Sequence, residues 1–277
     1  MSAGKHSQHP FSGELGRLLR HWRDVRGKSQ IDLSLDTGVS QRHISFIESG
    51  RGAPSRQTLT HLSRALDVPF RDRNELLVAA GFAPMHKEQA WDARELHSIK
   101  RALDRMLRQH DPFPAIVLDR HWNVLMRNAS ARRFFGWFVD LDARPEPRNL
   151  LQLVFDPNGL RPFIANWQQA SQALIQRVHR EAVGHTLDEA TQQLLATLRA
   201  YDSDDTTSIP HDARDAALPM VSLDFRKDGE VLRYFSMITT VGTPQTIATQ
   251  ELRIESMFPA DDATEAAHRR WMEGSDS

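Results

Sequence analysis

Gly38 constrains this chain more than any other residue, because it separates two short stretches that each carry a cap and an inner face. Ser29 can cap a helix that begins at Gln30, and Asp32 sits at the third position of a capping box. Leu33 faces inward, and Ser34 is small where a crossing helix must come close. Gly38 then supplies the left-handed backbone conformation that ends the helix without a Cβ clash. Val39 plugs the corner, and Ser40 can cap a second helix by accepting from a free backbone N–H. Ile44 and Ile47, three apart, give that second helix its inner face. Outward at its start stand Gln41, Arg42 and Ser45, all able to hydrogen-bond to base edges. An ordinary solvated hairpin can carry such side chains too. The small Ser34, the Gly38 corner and the paired isoleucines in one register point instead to a helix-turn-helix whose second helix suits the major groove.

The flanking stretches extend this into five helices. One runs from Glu14 to about Arg26 with Leu15, Leu18, Leu19 and Trp22 on one face, and Gly27 ends it. After the helix-turn-helix, a loop of Gly, Pro and Arg (50–55) is flanked by Arg51 and Arg56, candidates for phosphate contacts that fix register without reading sequence. Ser55 caps a helix from Arg56 to Leu66 with Leu59, Leu62 and Leu66 inward, and a fifth helix runs from Phe70 to Ala80 and stops at Gly81.

With 277 residues the chain has room for two domains. Its net charge of −1 hides an asymmetry: Met1 to Pro84 holds 12 Lys or Arg against 8 Asp or Glu, and the remainder 23 against 28. A basic head on an acidic body is what a chain needs if only the head meets phosphates. There are no cysteines, which excludes disulfides, thiol redox sensing and cysteine-ligated zinc and fits a reducing cytoplasm. No run of about 18 apolar residues predicts a membrane span. Met1 to Pro10 is polar and unlike a signal peptide, and residues 1–12 read as disordered.

The stretch from Gly13 to Leu66, with I-E-S-G-R from Ile47, resembles the DNA-binding domain of the Xre family, the lambda-repressor-like regulators. By that resemblance Arg23 pairs with Glu48 and locks two helices together. The run V-P-F-R-D-R-N-E-L-L-V-A-A-G-F-A-P from Val68, taken with S-Q-R-H-I-S-F-I-E-S-G-R from Ser40, resembles the MmyB-like transcription regulators. In that family an Xre-type head is joined to a C-terminal PAS-like domain that binds small molecules. The resemblance implies an all-α five-helix head over 13–84, a linker over 85–93, and an α+β PAS-like body with an antiparallel sheet over 94–270.

The body's own pattern agrees with an α+β reading. A helix to about Gln109 carries Leu96, Ile99, Leu103, Met106 and Leu107 at helical spacing, for packing on the body or on the same helix of a second chain. Pro114 to Leu118 and Val124 to Met126 read as a hairpin, and Asn128 precedes a helix, Ala129 to Phe138, rich in aromatics. Helices follow at about 162–181 and 187–200, then an acidic loop, 203–216. Val221, Leu223 and Phe225 alternate with Ser222, Asp224 and Arg226 as in a half-buried strand. Asp228-Gly229 centres a hairpin turn into a strand from Val231 to Val241. The last strand, 251–258, is read with Leu252, Ile254 and Phe258 on one face against Arg253 and Glu255, giving a sheet covered on one face.

Other chemistries find no support. There is no Gly-rich phosphate loop and no H-E-x-x-H helix. His179 and His185 fall about 240° apart around a helix. His121 in its turn reads as a surface or packing residue. A calcium loop counted from Asp202 fails at Thr207 and Ala213. No nucleophile setting appears, so no enzyme, metal or cofactor is expected.

The DNA-contact set is therefore Gln30, Ser40, Gln41, Arg42, Ser45, Arg51 and Arg56, on a near-palindromic double-stranded operator bound by a homodimer with half-sites ~34 Å apart. Candidates for lining an apolar ligand site are Phe134, Phe135, Trp137, Phe155, Phe163, Trp167, Phe225, Phe235 and Met237. By resemblance the ligand is a fatty acid or another hydrophobic small molecule, and a carboxylated one would want Arg133, Arg161 or Arg233 at the mouth. The alternative is a head that docks a protein, as in antitoxin-like chains, without a small-molecule ligand.

Overall fold

A computed structural model describes residues 12–183, 189–202 and 222–274. The chain forms two compact units, the first built mainly on residues up to Gln89 and the second on those from Ala90 onward. Of residues 1–12, read as disordered, Ser12 instead opens a helix; the rest of them, the acidic loop at 203–216, His185 and Val221 lie outside the described residues.

The first unit is five helices: α1 (Ser12–Val25), α2 (Gln30–Thr37), α3 (Gln41–Glu48), α4 (Arg56–Ala65) and α5 (Phe70–Ala79). Local signals set their ends. The Ser29 hydroxyl accepts from the Asp32 N–H while the Asp32 carboxylate accepts from the Ser29 N–H, the reciprocal box the spacing predicts. Gly38 adopts φ 70°, and its N–H closes onto the Ser34 carbonyl. Ser40 and Ser55 cap α3 and α4. Leu15, Leu18, Leu19, Trp22, Leu33, Ile44, Ile47, Leu59 and Leu62 form one buried core. Gly16 on α1 meets the end of α3 so closely that a Cβ there would lie 2.4 Å from the Glu48 carbonyl oxygen.

In the second unit a 3-10 turn (Arg94–Leu96) leads into α6 (His97–Gln109), followed by β1 (Ala115–Leu118), β2 (Val124–Arg127), α7 (Ala129–Gly136), α8 (Leu150–Phe155), a 3-10 turn (Arg161–Phe163), α9 (Trp167–Val183) and α10 (Glu189–Asp202). Then come β3 (Leu223–Lys227), β4 (Glu230–Thr240), β5 (Arg253–Pro259) and α12 (Asp262–Gly274); α11 (Ile247–Glu251), between β4 and β5 in the chain, groups up to Gln250 with the first unit. The five strands form one antiparallel sheet in the order β2-β1-β5-β4-β3. Asp228 and Gly229 turn the β3–β4 hairpin with φ 51° and 84°, the left-handed pair such a turn requires.

Several expectations are corrected. The sheet is covered on both faces: Leu103 and Leu107 of α6 pack with Val117 and Ile254 on one, while Ile116, Phe225 and Met257 join the main core on the other. Glu255 is therefore buried, not on a solvent face, because β5 lies in the middle of the sheet between β1 and β4. Asp224 and Ser222 are buried too, since residues 164–166 run along β3: the Ala165 N–H donates to Asp224 and the Asn166 amide to the Ser222 carbonyl. The same pairing holds 164–166 out of helix, so α9 starts at Trp167 and not near 162. Finally, α8 was not expected; Asn149 caps it, accepting from the Gln152 N–H. Met106 on α6 faces outward, on the flank of the Leu103–Leu107 stripe.

Candidate functional sites

The head's candidate nucleic-acid surface is built on one buried carboxylate. Glu48, at the end of α3, is 5% exposed. Arg23 of α1 grips it in a fork, Nε to Oε1 at 2.7 Å and a terminal nitrogen to Oε2 at 3.1 Å. The Gln30 amide of α2 donates to Oε2 at 2.9 Å, and Arg20 stands 3.5 Å away. Burial alone would push the Glu48 carboxyl up, but these hydrogen bonds and charges overrule it and hold it below its ordinary value. Desolvation works against Arg23, yet the bond to Glu48 outweighs it and raises the guanidinium further. The Arg23–Glu48 pair implied by resemblance is thus present and ties three helices to one point.

With Glu48 held and Ile44 and Ile47 buried, the other side of α3 is left outward. Gln41 and Arg42 are exposed and Ser45 is half-buried beside them. Arg42 and Arg51 sit against the ring of Phe46, at 5.3 and 5.1 Å, so one aromatic steadies two guanidiniums. The Arg51 Nε also donates to the Ser49 hydroxyl, and Arg56 reaches the Ala83 carbonyl. Gln30 is less free than expected, because its amide is held by Glu48. Phe46 and Gly16 are the contributors that sequence reasoning missed. Phe46 lies between residues already singled out, but nothing local marks a ring as a rest for two arginines.

The second unit holds a small, partly open apolar cavity. Of the expected aromatics, Phe135, Phe225 and Phe235 line it. The others do not. Phe134 is fully buried at the hub of an aromatic cluster with Phe138, Phe225 and Tyr234. Trp137 packs on Trp271, Phe155 on Trp167, and Phe163 on Phe138. Met237 is 57% exposed on the outer half of β4. The cavity takes Trp122, Tyr234 and Met257 instead, with Leu150, Leu151 and Val154 from the unexpected α8.

Two polar residues, Ser236 and Glu255, interrupt this apolar wall. The Ser236 hydroxyl donates to Glu255 Oε1 at 2.7 Å, and Arg177 of α9 approaches the same oxygen at 3.3 Å. Arg177 also lies over the Trp122 ring at 4.2 Å and pairs with Glu181, which in turn pairs with Arg253. None of Arg133, Arg161 and Arg233 lines the cavity: they hydrogen-bond to the Met272 and Tyr201 carbonyls and stand near Asp224, respectively.

Behind the cavity wall, the Tyr234 hydroxyl meets His268 Nδ1 at 2.7 Å, and His268 Nε2 lies 2.8 Å from the Pro112 carbonyl. A carbonyl can only accept, so Nε2 carries the proton and Tyr234 donates to Nδ1. Burial pushes the His268 pKa down, with Arg269 adding to it and the Pro112 bond opposing, and burial pushes the Tyr234 hydroxyl up. Both groups are neutral in the fold. Among the described residues no three His, Asp or Glu side chains gather as a metal site, and no helix is long and apolar enough to cross a membrane.

Comparison with known proteins accords with this geometry. Residues 19–72 match the helix-turn-helix family model, and residues 99–270 match that of the MmyB-like transcription regulator ligand binding domain. No curated protein matches the chain. A helix-turn-helix head followed by a ligand-binding domain of this kind makes the chain a ligand-regulated transcription regulator, and it belongs to the MmyB-like family.

Proposed function

We propose that the head reads a near-palindromic operator as a homodimer, with Gln41, Arg42 and Ser45 on base edges, Ser40 at the head of the reading helix, and Gln30, Arg51 and Arg56 on phosphates. The observation that carries this reading is the exposure of Gln41 and Arg42 at the start of a helix whose other face is pinned by Ile44, Ile47 and Glu48. The body takes a small apolar molecule into the cavity lined by Phe135, Phe225 and Phe235. That ligand acts on DNA binding only through unequal affinity for the two arrangements of the dimer.

The test is selection of bound sequences from random duplex DNA, followed by binding at several salt concentrations. Arg42→Ala is expected to cost about 1–3 kcal/mol on the selected site and to blur one base pair. Arg51→Ala should weaken all sequences alike and lower the salt slope by about one. An Arg42→Ala loss spread evenly over every sequence makes Arg42 a phosphate contact.

A second reading, docking of a protein on the head, draws on Ile31 and Leu35, which stand 56% and 79% exposed one turn apart on α2. Failure to enrich any duplex at physiological salt would favour it.

A further inference from the structure

The body is acidic, yet its first α-helix is basic. Along α6 four Lys or Arg stand against one Asp, while the chain from Met85 onward carries 28 Asp or Glu against 23 Lys or Arg. Leu103 and Leu107 bury the inner side of α6 against Val117 and Ile254. At about 100° per residue Arg101 and Arg105 fall on the opposite side, and both are exposed.

Two of the four cations are already engaged. Lys100 Nζ sits 4.5 Å over the Trp91 ring, and Arg108 pairs with Asp104 at 2.9 Å. Arg101 and Arg105 have no ion pair among the described residues. Four apart on a helix, their like charges repel. Arg108 in the last turn complements the negative helix end, but Arg101 lies mid-helix, where that effect has faded. The helix gains nothing from this pair unless an anion outside the chain meets it.

The surroundings of the pair select the anion. A lipid surface takes up apolar side chains along with cations, and here Leu103 and Leu107 are spent on the core, leaving Met106 on the flank. The α6 of a second copy would bring like charge. Duplex DNA needs only the cations. Residues 80–96, at most about 60 Å of chain, join α5 to α6, so a head on DNA keeps α6 at high effective concentration beside further phosphates. The rise from Arg101 to Arg105, about 6 Å, matches about two phosphates of one strand.

Resting on the proposed reading of the head as the operator-binding unit, we propose that Arg101 and Arg105 bind backbone phosphates of the DNA flanking each half-site, widening the footprint without reading sequence.

The experiment is an anisotropy titration of the full chain over roughly 50–200 mM salt on two duplexes. One is the selected operator alone, and the other has about one helical turn (~10 bp) added at each end. Arg101→Gln with Arg105→Gln is expected to weaken binding to the long duplex about tenfold, to lower its salt slope by about two, and to leave the short duplex unchanged. Arg101→Lys with Arg105→Lys keeps both charges and should bind the long duplex as wild type does. An equal loss on both duplexes, or none on either, overturns the proposal. So does sedimentation of the chain with phosphatidylglycerol vesicles that the Gln pair abolishes while DNA binding stands, which gives the stripe to a lipid surface. If Arg42→Ala blurs a base pair and the Gln pair changes nothing, this inference alone fails. If wild type binds no duplex, the reading of the head fails and this inference with it.

Discussion

Glu48 in the head and Glu255 in the body are buried to nearly the same degree, yet the fold treats them in opposite ways. Glu48 receives donors from two other helices, so both of its oxygens are satisfied by the chain itself. Glu255 has one satisfied oxygen; the other has no partner among the described residues, and neither has Arg177 Nη2 on the guanidinium that meets Oε1. The first arrangement spends its hydrogen bonds on geometry and fixes where α3 points. The second leaves an acceptor and a donor, Glu255 Oε2 and Arg177 Nη2, both buried and unpaired on groups that already meet through Oε1. Burial alone does not show how firmly a carboxylate is held; the tally of donors does.

The largest effect expected of this contrast is at the clamp. Arg23→Ala removes the forked partner of a carboxylate that is almost wholly buried, leaving it only the Gln30 amide and the nearby Arg20, and should cost about 3–5 kcal/mol, read as the urea midpoint of the head in the full chain. The double replacement Arg23→Met, Glu48→Leu removes both charges together and should recover most of that loss. A single-variant cost under about 1 kcal/mol would place Glu48 among ordinary surface pairs and dissolve the comparison.

Gly16→Ala comes next. The added Cβ meets backbone rather than a flexible side chain, 2.4 Å from the Glu48 carbonyl oxygen and 2.9 Å from that of Ile47, so α1 and α3 must part. About 1–3 kcal/mol of destabilisation is expected by the same urea assay, with weaker DNA binding as α3 shifts.

The head was legible because its signals are local. Ser29, Asp32, Gly38, Ser40 and Ser55 each act on backbone within a few residues, and a linear reading reaches them. Gly16 was missed because the carbonyl it makes room for lies on another helix. The Arg23–Glu48 pair came from family resemblance, as no spacing rule joins residues that far apart. In the body, strand identity was readable but strand position was not. Alternation along 252–258 put Glu255 with Arg253 on an outer face, which holds only for a sheet with one bare side. Once β5 lies between β1 and β4 under helices on both faces, the same alternation points Glu255 into the cavity. Phe134 and Phe135 make the same point at neighbouring positions: one is core, the other lines the cavity, and only packing decides.

Acid should stress the body through His268. Burial lowers its folded pKa, so the unfolded chain takes up a proton that the fold refuses. Stability from this group is complete above the unfolded value of about 6.5 and falls as pH drops below it, by at most about 1.4 kcal/mol per pH unit. Glu48 acts lower: its folded pKa is depressed, so its contribution is present above the unfolded carboxylate value of about 4.3 and is lost as pH falls through the folded one. His86 in the head is lowered in the same direction as His268, by burial and then by Arg73 and Arg64, so the assignment needs a variant. Thermal unfolding of His268→Gln between pH 8 and pH 5 should show a flatter decline than wild type. An identical slope would mean that His268 does not set the acid response.

The smallest effect belongs to Glu255 itself, without ligand. Glu255→Gln keeps an acceptor for the Ser236 hydroxyl, leaves Arg177 its bond to Glu181, and replaces an unmet charged oxygen by an unmet neutral amide. The lost attraction to Arg177 and the relieved desolvation oppose each other, so the net change should stay within about 1 kcal/mol. Glu48→Gln is the matched control. There the new amide hydrogens face donors from Arg23 or Gln30 whichever way the group turns, and at least about 2 kcal/mol should be lost. Equal costs for the two isosteric changes, measured side by side in urea, would show that Glu255 is as much a part of the scaffold as Glu48.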